Sequence, residues 1–403
     1  MDDNRSPFFP PKALTQIRKG KVFSGGIRHK EIVGPLLPAG AEWISITVPL
    51  DRVFSRYEEI FARFEETATD DSIIVFASGD PLFFGFANTI KRKLPEADIL
   101  LYPAFNSLQT LAHRLVMPYD DMRTVSLTGR PWQEFDRALI EHAPKIGILT
   151  DREHTPATIA DRMLEYGYSH YTLYIGEHLG NPEKERIRRM TPREAVAGDF
   201  EHPNCLLLDS HPGQCRTNSL HGSEAPDFPV RPFGIPDEEF AHLDGRARMI
   251  TKAPIRLLTL QALELNRRRV FWDIEARLQF PHLAVISFEI RPEGKELMDT
   301  NSRRFGAPGI TAVTGDFLHT DLTPFARPDA VFIGGHGGHL EEMIEKVKQV
   351  LHPEGCIVFN SVSAESKEAF LRGIERNGMV LHPSTHIALN EYNPIEIMKA
   401  TLS

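Results

Sequence analysis

Two kinds of segment in this sequence carry residue types that hold small molecules against the main chain. The first is Ser78-Gly79-Asp80-Pro81-Leu82-Phe83-Phe84-Gly85, which follows an apolar run at 72–77. Gly79 and Pro81 build a tight turn off a strand, so main-chain groups can face a ligand. The second is a series of apolar runs ending in an acid, an amide or glycines: Asp273, Glu289, Gly315-Asp316, Gly334-Gly335 and Asn360. In an open parallel sheet, ligands bind at the carboxyl ends of the strands. Glu289, closing the second strand of its series, suits both ribose hydroxyls of a nucleoside. Asp316, behind a glycine, suits an adenine amino group, and Gly334-Gly335 leaves room against the backbone. Singly, each feature is ordinary turn and strand-end vocabulary; the ordered set is more specific.

Other reactive groups are sparse. His336 and His339 form an H-x-x-H in a glycine loop, but no third ligand is visible, so no metal site is expected. Arginine forks suit carboxylates, and Arg28, Arg130, Arg303 and Arg304 are candidates to hold an acidic ligand. No nucleophilic triad is evident, and no catalytic side chain is assigned.

These residues need strands to carry them. Apolar runs at 72–77, 98–102, 145–150, 171–175 and 205–208 alternate with helical patterns at 83–94, 107–115 and 155–166, the last with Pro156 in its first turn. A second series has strands at 269–273, 284–289, 310–316, 329–335 and 356–360. Such alternation predicts α/β architecture with mostly parallel sheets. Between the series, 212–236 holds Pro212, Pro226, Pro229, Pro232 and Pro236 with Gly213 and Gly222, and is predicted to be a linker. The domains are therefore expected at 1–211 and 237–403.

The bulk composition excludes several classes. The 403 residues are 41% hydrophobic and 25% charged, enough for two buried cores. A net charge of −9 argues against nucleic acid as a partner. Cys205, Cys215 and Cys356 fit neither a disulfide framework nor a zinc pattern, so a reducing, cytoplasmic setting is expected. No apolar run reaches membrane-spanning length. The opening Met1-Asp2-Asp3-Asn4 is not an export signal.

The motifs in order resemble known families. Ser24-Gly25-Gly26-Ile27-Arg28-His29, the Gly79 turn, Pro103-Ala104-Phe105-Asn106-Ser107, Val125-Ser126-Leu127-Thr128-Gly129-Arg130 and Gly176-Glu177-His178-Leu179-Gly180 resemble the tetrapyrrole methylases, CbiE-like, over about 6–209. Phe233-Gly234-Ile235-Pro236-Asp237, Ile250-Thr251-Lys252, Trp272-Asp273-Ile274, the 329–338 glycine run and Asn393-Pro394-Ile395 resemble the decarboxylating precorrin methyltransferases, CbiT-like, over about 233–400. Together they resemble the fused precorrin-6Y methyltransferases.

That resemblance implies a two-lobed αβα tetrapyrrole methylase-like domain followed by a class I, Rossmann-like methyltransferase domain. It implies S-adenosylmethionine (SAM) as cosubstrate and no metal. The expected reaction is methylation of an acidic corrin precursor at carbons 5 and 15, with decarboxylation of an acetate side chain, by a homo-oligomer. Carried over by motif, Gly79, Asp80, Pro81, Leu82, Ser107 and Thr150 face SAM in the first half. Asp273, Glu289, Gly315, Asp316, Gly334 and Gly335 do so in the second. Arg28, Arg130, Thr251 and His336 are the expected substrate residues. The family opens with a strand ahead of the segment where this sequence starts. After Ile274 it has a glycine-rich loop that this sequence replaces with Glu275-Ala276-Arg277-Leu278, shorter by about two helical turns. An alternative therefore leaves only the first half active, with the second as a docking or assembly module.

Overall fold

The computed structural model describes residues 4, 7–69, 71–210, 234–242, 250–271, 274–389 and 394–403. These form two compact units. Unit one comprises the described residues of 1–130, 144–161 and 169–212; unit two comprises those of 131–143, 162–168 and 213–403. Among the described residues no helix is long and apolar enough to cross a membrane.

Unit one begins with α1 (Pro11–Lys19), β1 (Val22–Gly25), α2 (Ile27–Val33), β2 (Glu42–Ser45), α3 (Asp51–Glu66), β3 (Ile73–Val75), α4 (Phe86–Lys93) and α5 (Ser107–Leu115). β1 is the centre of a parallel sheet ordered β2-β1-β3. Helix α3 places Val53, Phe54, Tyr57, Ile60 and Phe64 at three- and four-residue intervals, and this face closes over Val22 and Ile44. Asn106 caps α5 reciprocally: its side chain accepts from the Gln109 N–H at 2.9 Å, and its own N–H donates to the Gln109 side chain at 3.1 Å.

The chain continues through β4 (Arg123–Ser126), α6 (Gln133–Ile140), β5 (Lys145–Leu149), α7 (Pro156–Glu165), β6 (Thr172–Glu177), β7 (Arg186–Met190), α8 (Pro192–Val196) and β8 (Asn204–Asp209). Its five strands are ordered β4-β5-β8-β6-β7. Only β4 and β5 run parallel; β8 is antiparallel to both neighbours, and β7 to β6. The sheet is thus less parallel than the alternation predicts. The β6–β7 connection is too short for a crossover, so the chain can only turn back on itself. Two expectations also shift. Residues 98–102 join no ladder, and Leu100 is 74% exposed. An extended apolar segment becomes a strand only where a neighbour supplies the hydrogen bonds. The helix expected from Phe83 begins at Phe86, because Phe84 has a φ of +51° and Gly85 is its N-cap.

Unit two contains α9 (Ala253–Leu263), β9 (Val270–Phe271), α10 (Ile274–Gln279), β10 (Ala284–Glu289), α11 (Pro292–Phe305), β11 (Ile310–Thr314), β12 (Ala330–Ile333), α12 (Leu340–Val350), β13 (Cys356–Ser361), α13 (Ala364–Arg376), β14 (Val380–Leu381), β15 (Thr385–Ile387) and β16 (Ile395–Thr401). A parallel ladder β11-β10-β9 lies beside a mixed ladder β12-β13-β16-β14, with β15 also on β16. The two meet at their feet, where the Asp329 carboxylate accepts from the Arg269 and Val270 N–H groups at 2.8 and 3.0 Å. Phe271, Val285, Ala330, Cys356, Val358 and Ile397 share one core across both ladders. All six residues of β13 are buried, the pattern of a strand covered on both faces.

Candidate functional site

In unit one the site grows from the end of β3. Gly79 sits at φ +58°, and a β-carbon there would lie 3.0 Å from the Asn106 Cα. A side chain would part the two turns; glycine lets them touch. Asp80 accepts from the Leu82 N–H at 2.8 Å, and Asn88 donates to the Leu82 carbonyl at 2.7 Å, so the loop is internally braced. Asn106 leads into Ser107, whose carbonyl faces the Cys205 thiol at 3.6 Å. One residue earlier, Asn204 receives the Thr150 hydroxyl at 2.7 Å on its carbonyl oxygen or its side-chain oxygen. A chain of contacts therefore joins Gly79, Ser107 and Thr150. Asp80, Pro81 and Leu82 ride on the same loop, with Leu82 52% exposed. Burial pushes the Cys205 thiol up to about 12, which leaves it inert as a nucleophile.

Two predicted arginines flank this loop. Arg28 donates to the Ser78 hydroxyl at 2.9 Å. His29 faces the same oxygen through Nε2 at 3.1 Å, while its Nδ1 accepts from the Gly26 N–H at 3.2 Å, which leaves the proton on Nε2. Burial, reinforced by the Arg28 charge, lowers its pKa to about 4 and keeps the ring neutral. At the loop's other end, the Arg130 guanidinium lies 5.1 Å from the Phe84 ring centroid and donates to Ser126.

Sequence reasoning missed Asp151, which holds the Arg130 turn. Its carboxylate accepts from the N–H groups of Gly129, Glu153 and His154 at 2.8, 2.9 and 2.7 Å, and contacts His154 Nδ1 at 3.0 Å. Burial works to raise its pKa, but these hydrogen bonds, led by the His154 and Gly129 N–H groups, outweigh it and hold the group well below the ordinary carboxylate range. An aspartate two and three residues ahead of the N–H groups it receives was the available signal.

In unit two Glu289 ends β10 and Asp316 follows β11. The Glu289 carboxylate accepts from the Arg291 N–H at 3.1 Å and packs on Gly294, where a β-carbon would come within 2.1 Å of Glu289 Cγ. Gly315 donates to the Glu289 carbonyl at 3.0 Å, which sets Asp316 beside Glu289. Asp316 accepts from the Leu318 N–H at 2.9 Å and pairs with His319 at 2.8 Å; these two contacts lower its pKa. Gly334 and Gly335 follow β12 and are exposed. Beyond them, His336 Nδ1 accepts from the Gly338 N–H at 3.1 Å and its ring lies 5.8 Å from Phe359. Asn360 is paired with Thr259 at 3.0 Å. Thr251 lies just ahead of α9, its carbonyl accepting from Arg256 at 2.5 Å. Of the weaker arginine candidates, Arg303 is paired with Glu165 at 2.9 Å. Asp273 lies outside the described residues.

The segment after β9 lacks the glycine-rich loop that the family resemblance implies for the methionine end of SAM. Two residues separate β9 from α10, which has only six residues. No glycine occurs from 246 to 293. Residues 272 and 273 of this connection lie outside the described residues. A cleft of about 660 Å³ opens beside His336, lined also by Glu341, Ser363, Ser366 and Arg372. Among the described residues no three His, Cys, Asp or Glu side chains converge as a metal site would require.

Two family models match the chain in succession: the tetrapyrrole (corrin/porphyrin) methylases over residues 9–196, and the precorrin methyltransferase domain over 239–400. A precorrin-6Y C(5,15)-methyltransferase [decarboxylating] of Sinorhizobium sp is 30% identical over 370 residues, 89% of this chain and 83% of the relative. Two relatives from Salmonella typhimurium each match one half. A cobalt-precorrin-7 C(5)-methyltransferase is 30% identical over 49% of this chain and 91% of its own length. A cobalt-precorrin-6B C(15)-methyltransferase (decarboxylating) is 33% identical over 40% and 85%. A single relative thus spans both halves in register, and the chain belongs to the decarboxylating precorrin-6Y C(5,15)-methyltransferase family.

Proposed function

We propose that this chain methylates an acidic corrin precursor at carbons 5 and 15 with SAM and removes carbon dioxide from an acetate side chain, as a step of cobalamin synthesis. The observation that carries this reading is the 370-residue match to one relative of that printed activity. The half-length relatives support carbon 5 for the first half and carbon 15 with decarboxylation for the second.

SAM, when bound, supplies an electrophilic methyl group. The chain's part at carbon 5 is alignment, which contributes up to roughly 7–11 kcal/mol. The Gly79–Leu82 turn, Ser107 and Thr150 would hold the donor. Arg28 and Arg130 would take substrate carboxylates, each already fixed by a hydroxyl contact. In decarboxylation the C–C bond electrons pass to the conjugated ring, carbon dioxide leaves, and a proton returns to the carbon. His336, its Nδ1 accepting from the Gly338 N–H, would lie near the substrate. The same reading includes a cytoplasmic homo-oligomer with no resident metal and domains at 1–211 and 237–403.

A second reading, favoured by the absence of glycine from 246 to 293, leaves methyl transfer to the first half. Calorimetric titration of the full chain with S-adenosylhomocysteine, together with product mass, separates them. Two sites, and a product gaining two methylene units and losing carbon dioxide, support the first reading. One site and a single added methylene unit support the second.

A further inference from the structure

We propose that Phe84 is a specificity-determining residue of the carbon-5 site, its ring receiving the flat face of the macrocycle while it orients Arg130 toward a rim carboxylate. This rests on the corrin reading above and concerns a side chain that reading leaves without a role.

The backbone gives the first reason. Phe84 holds φ +51°, a region that a bulky side chain rarely adopts. Strain of this kind persists where the surroundings impose it, and it gathers at ligand sites. The second reason is where the two neighbouring rings go. Phe83 packs against the Leu108 and Leu111 core, whereas Phe84 meets it edge-on at 5.0 Å and stays 43% exposed. The unusual φ therefore turns an aromatic ring outward.

The third reason is complementarity. Leu82 and Phe105, 52% and 62% exposed, belong to this loop and to the turn that packs on Gly79. Arg28 is bound at Ser78, where the loop starts, and Arg130 at Phe84, where it ends. The surface is thus apolar between two guanidinium groups. A large planar ring with carboxylates on its rim matches that pattern. A cation held over an aromatic face is also fixed in plane, so its remaining N–H donors keep one direction.

The test uses the full chain and cobyrinic acid, a corrin polycarboxylate, titrated by absorbance. The key variant is Phe84→Gly, because glycine takes φ +51° freely and the fold is not at risk. Phe84→Gly is expected to melt no lower than the parent yet bind about tenfold more weakly. Phe84→Tyr should restore binding. Arg130→Gln should weaken the acid but not its methyl ester, and the double variant should lose less than the product of the two single losses. Binding by Phe84→Gly within twofold of the parent, or losses that multiply, overturns the proposal while the corrin reading stands. A parent chain that binds neither acid nor ester overturns both.

Discussion

Replacing Asp151 by asparagine tests whether one carboxylate organises the Arg130 turn. Asparagine keeps the shape, and its oxygen can still accept from Glu153 and His154. Its amide nitrogen must then face the Gly129 N–H, now 2.8 Å from Oδ2, so a donor meets a donor. Hydrogen bonds to a charged group contribute about 1.5–3 kcal/mol each. Losing the one to Gly129 and neutralising the others should cost about 3 kcal/mol. For a unit of this size that is a fall in Tm of roughly 6–12 °C. The sign with pH is fixed: the folded group sits below its ordinary value of 3.8, so its contribution is complete above about pH 4 and fades as pH falls further. Scanning calorimetry of parent and variant at neutral pH and near pH 3 should show a gap that narrows in acid. A fall under about 2 °C, or a gap that widens in acid, would refute the reasoning.

Other outcomes follow from single contacts. His29 is neutral in the fold, with a pKa near 4 against an ordinary 6.5. Its contribution is complete above about pH 6.5 and is lost as pH falls toward 4, by about 3 kcal/mol at most. His29→Gln should flatten that part of a urea-midpoint profile against pH. Gly294→Ala would drive a β-carbon into Glu289. Nucleoside affinity in unit two should drop about tenfold, the scale of one charged hydrogen bond, with little change in melting; unchanged S-adenosylhomocysteine binding at that site would count against the assignment of Glu289. Glu177→Gln breaks a buried pair with Arg188, whose Nε lies 2.8 Å from the carboxylate. Urea unfolding should show a loss of about 1.5–3 kcal/mol, the scale of a hydrogen bond to a charged group, since Arg188 stays partly exposed.

Much of the fold was legible where apolar residues run together. The run at 284–289 is β10 to the residue, and 356–360 is β13 short by one, since apolar residues dominate both and β13 is buried at every position. Short strands such as β1, with a serine and a glycine in four residues, give no such run and were not anticipated. The segment at 98–102 has the apolar character but not the partner, and a ladder is a property of two segments. The site was legible as turns: Gly79 and Gly315 mark backbone that only glycine enters easily. Asp151 showed locally only its turn with Glu153 and His154; its hold on Gly129, and the contact of the Phe84 ring with Arg130, depend on which groups a distant loop brings near. The short β9–α10 connection was visible as missing glycines. Its effect on the nucleoside side was not, because Glu289 and Asp316 are braced by their own strands.

The meeting of the two ladders in unit two bears on how this unit comes apart. Among the described residues, side-chain links across the feet include the Asp329 carboxylate, on the Arg269 and Val270 N–H groups, and Arg268, which donates to the Glu354 carbonyl. The blocks share apolar packing across this junction, but β13 is buried at all six positions whereas β10 and β11 are only partly covered. Such a junction lets one block open at lower free energy than the other. Amide exchange should then occur in two classes, fast along β10 and β11 and slow along β13 and β16. The nucleoside edge would sit on the fast-opening block, where a bound ligand adds the most protection.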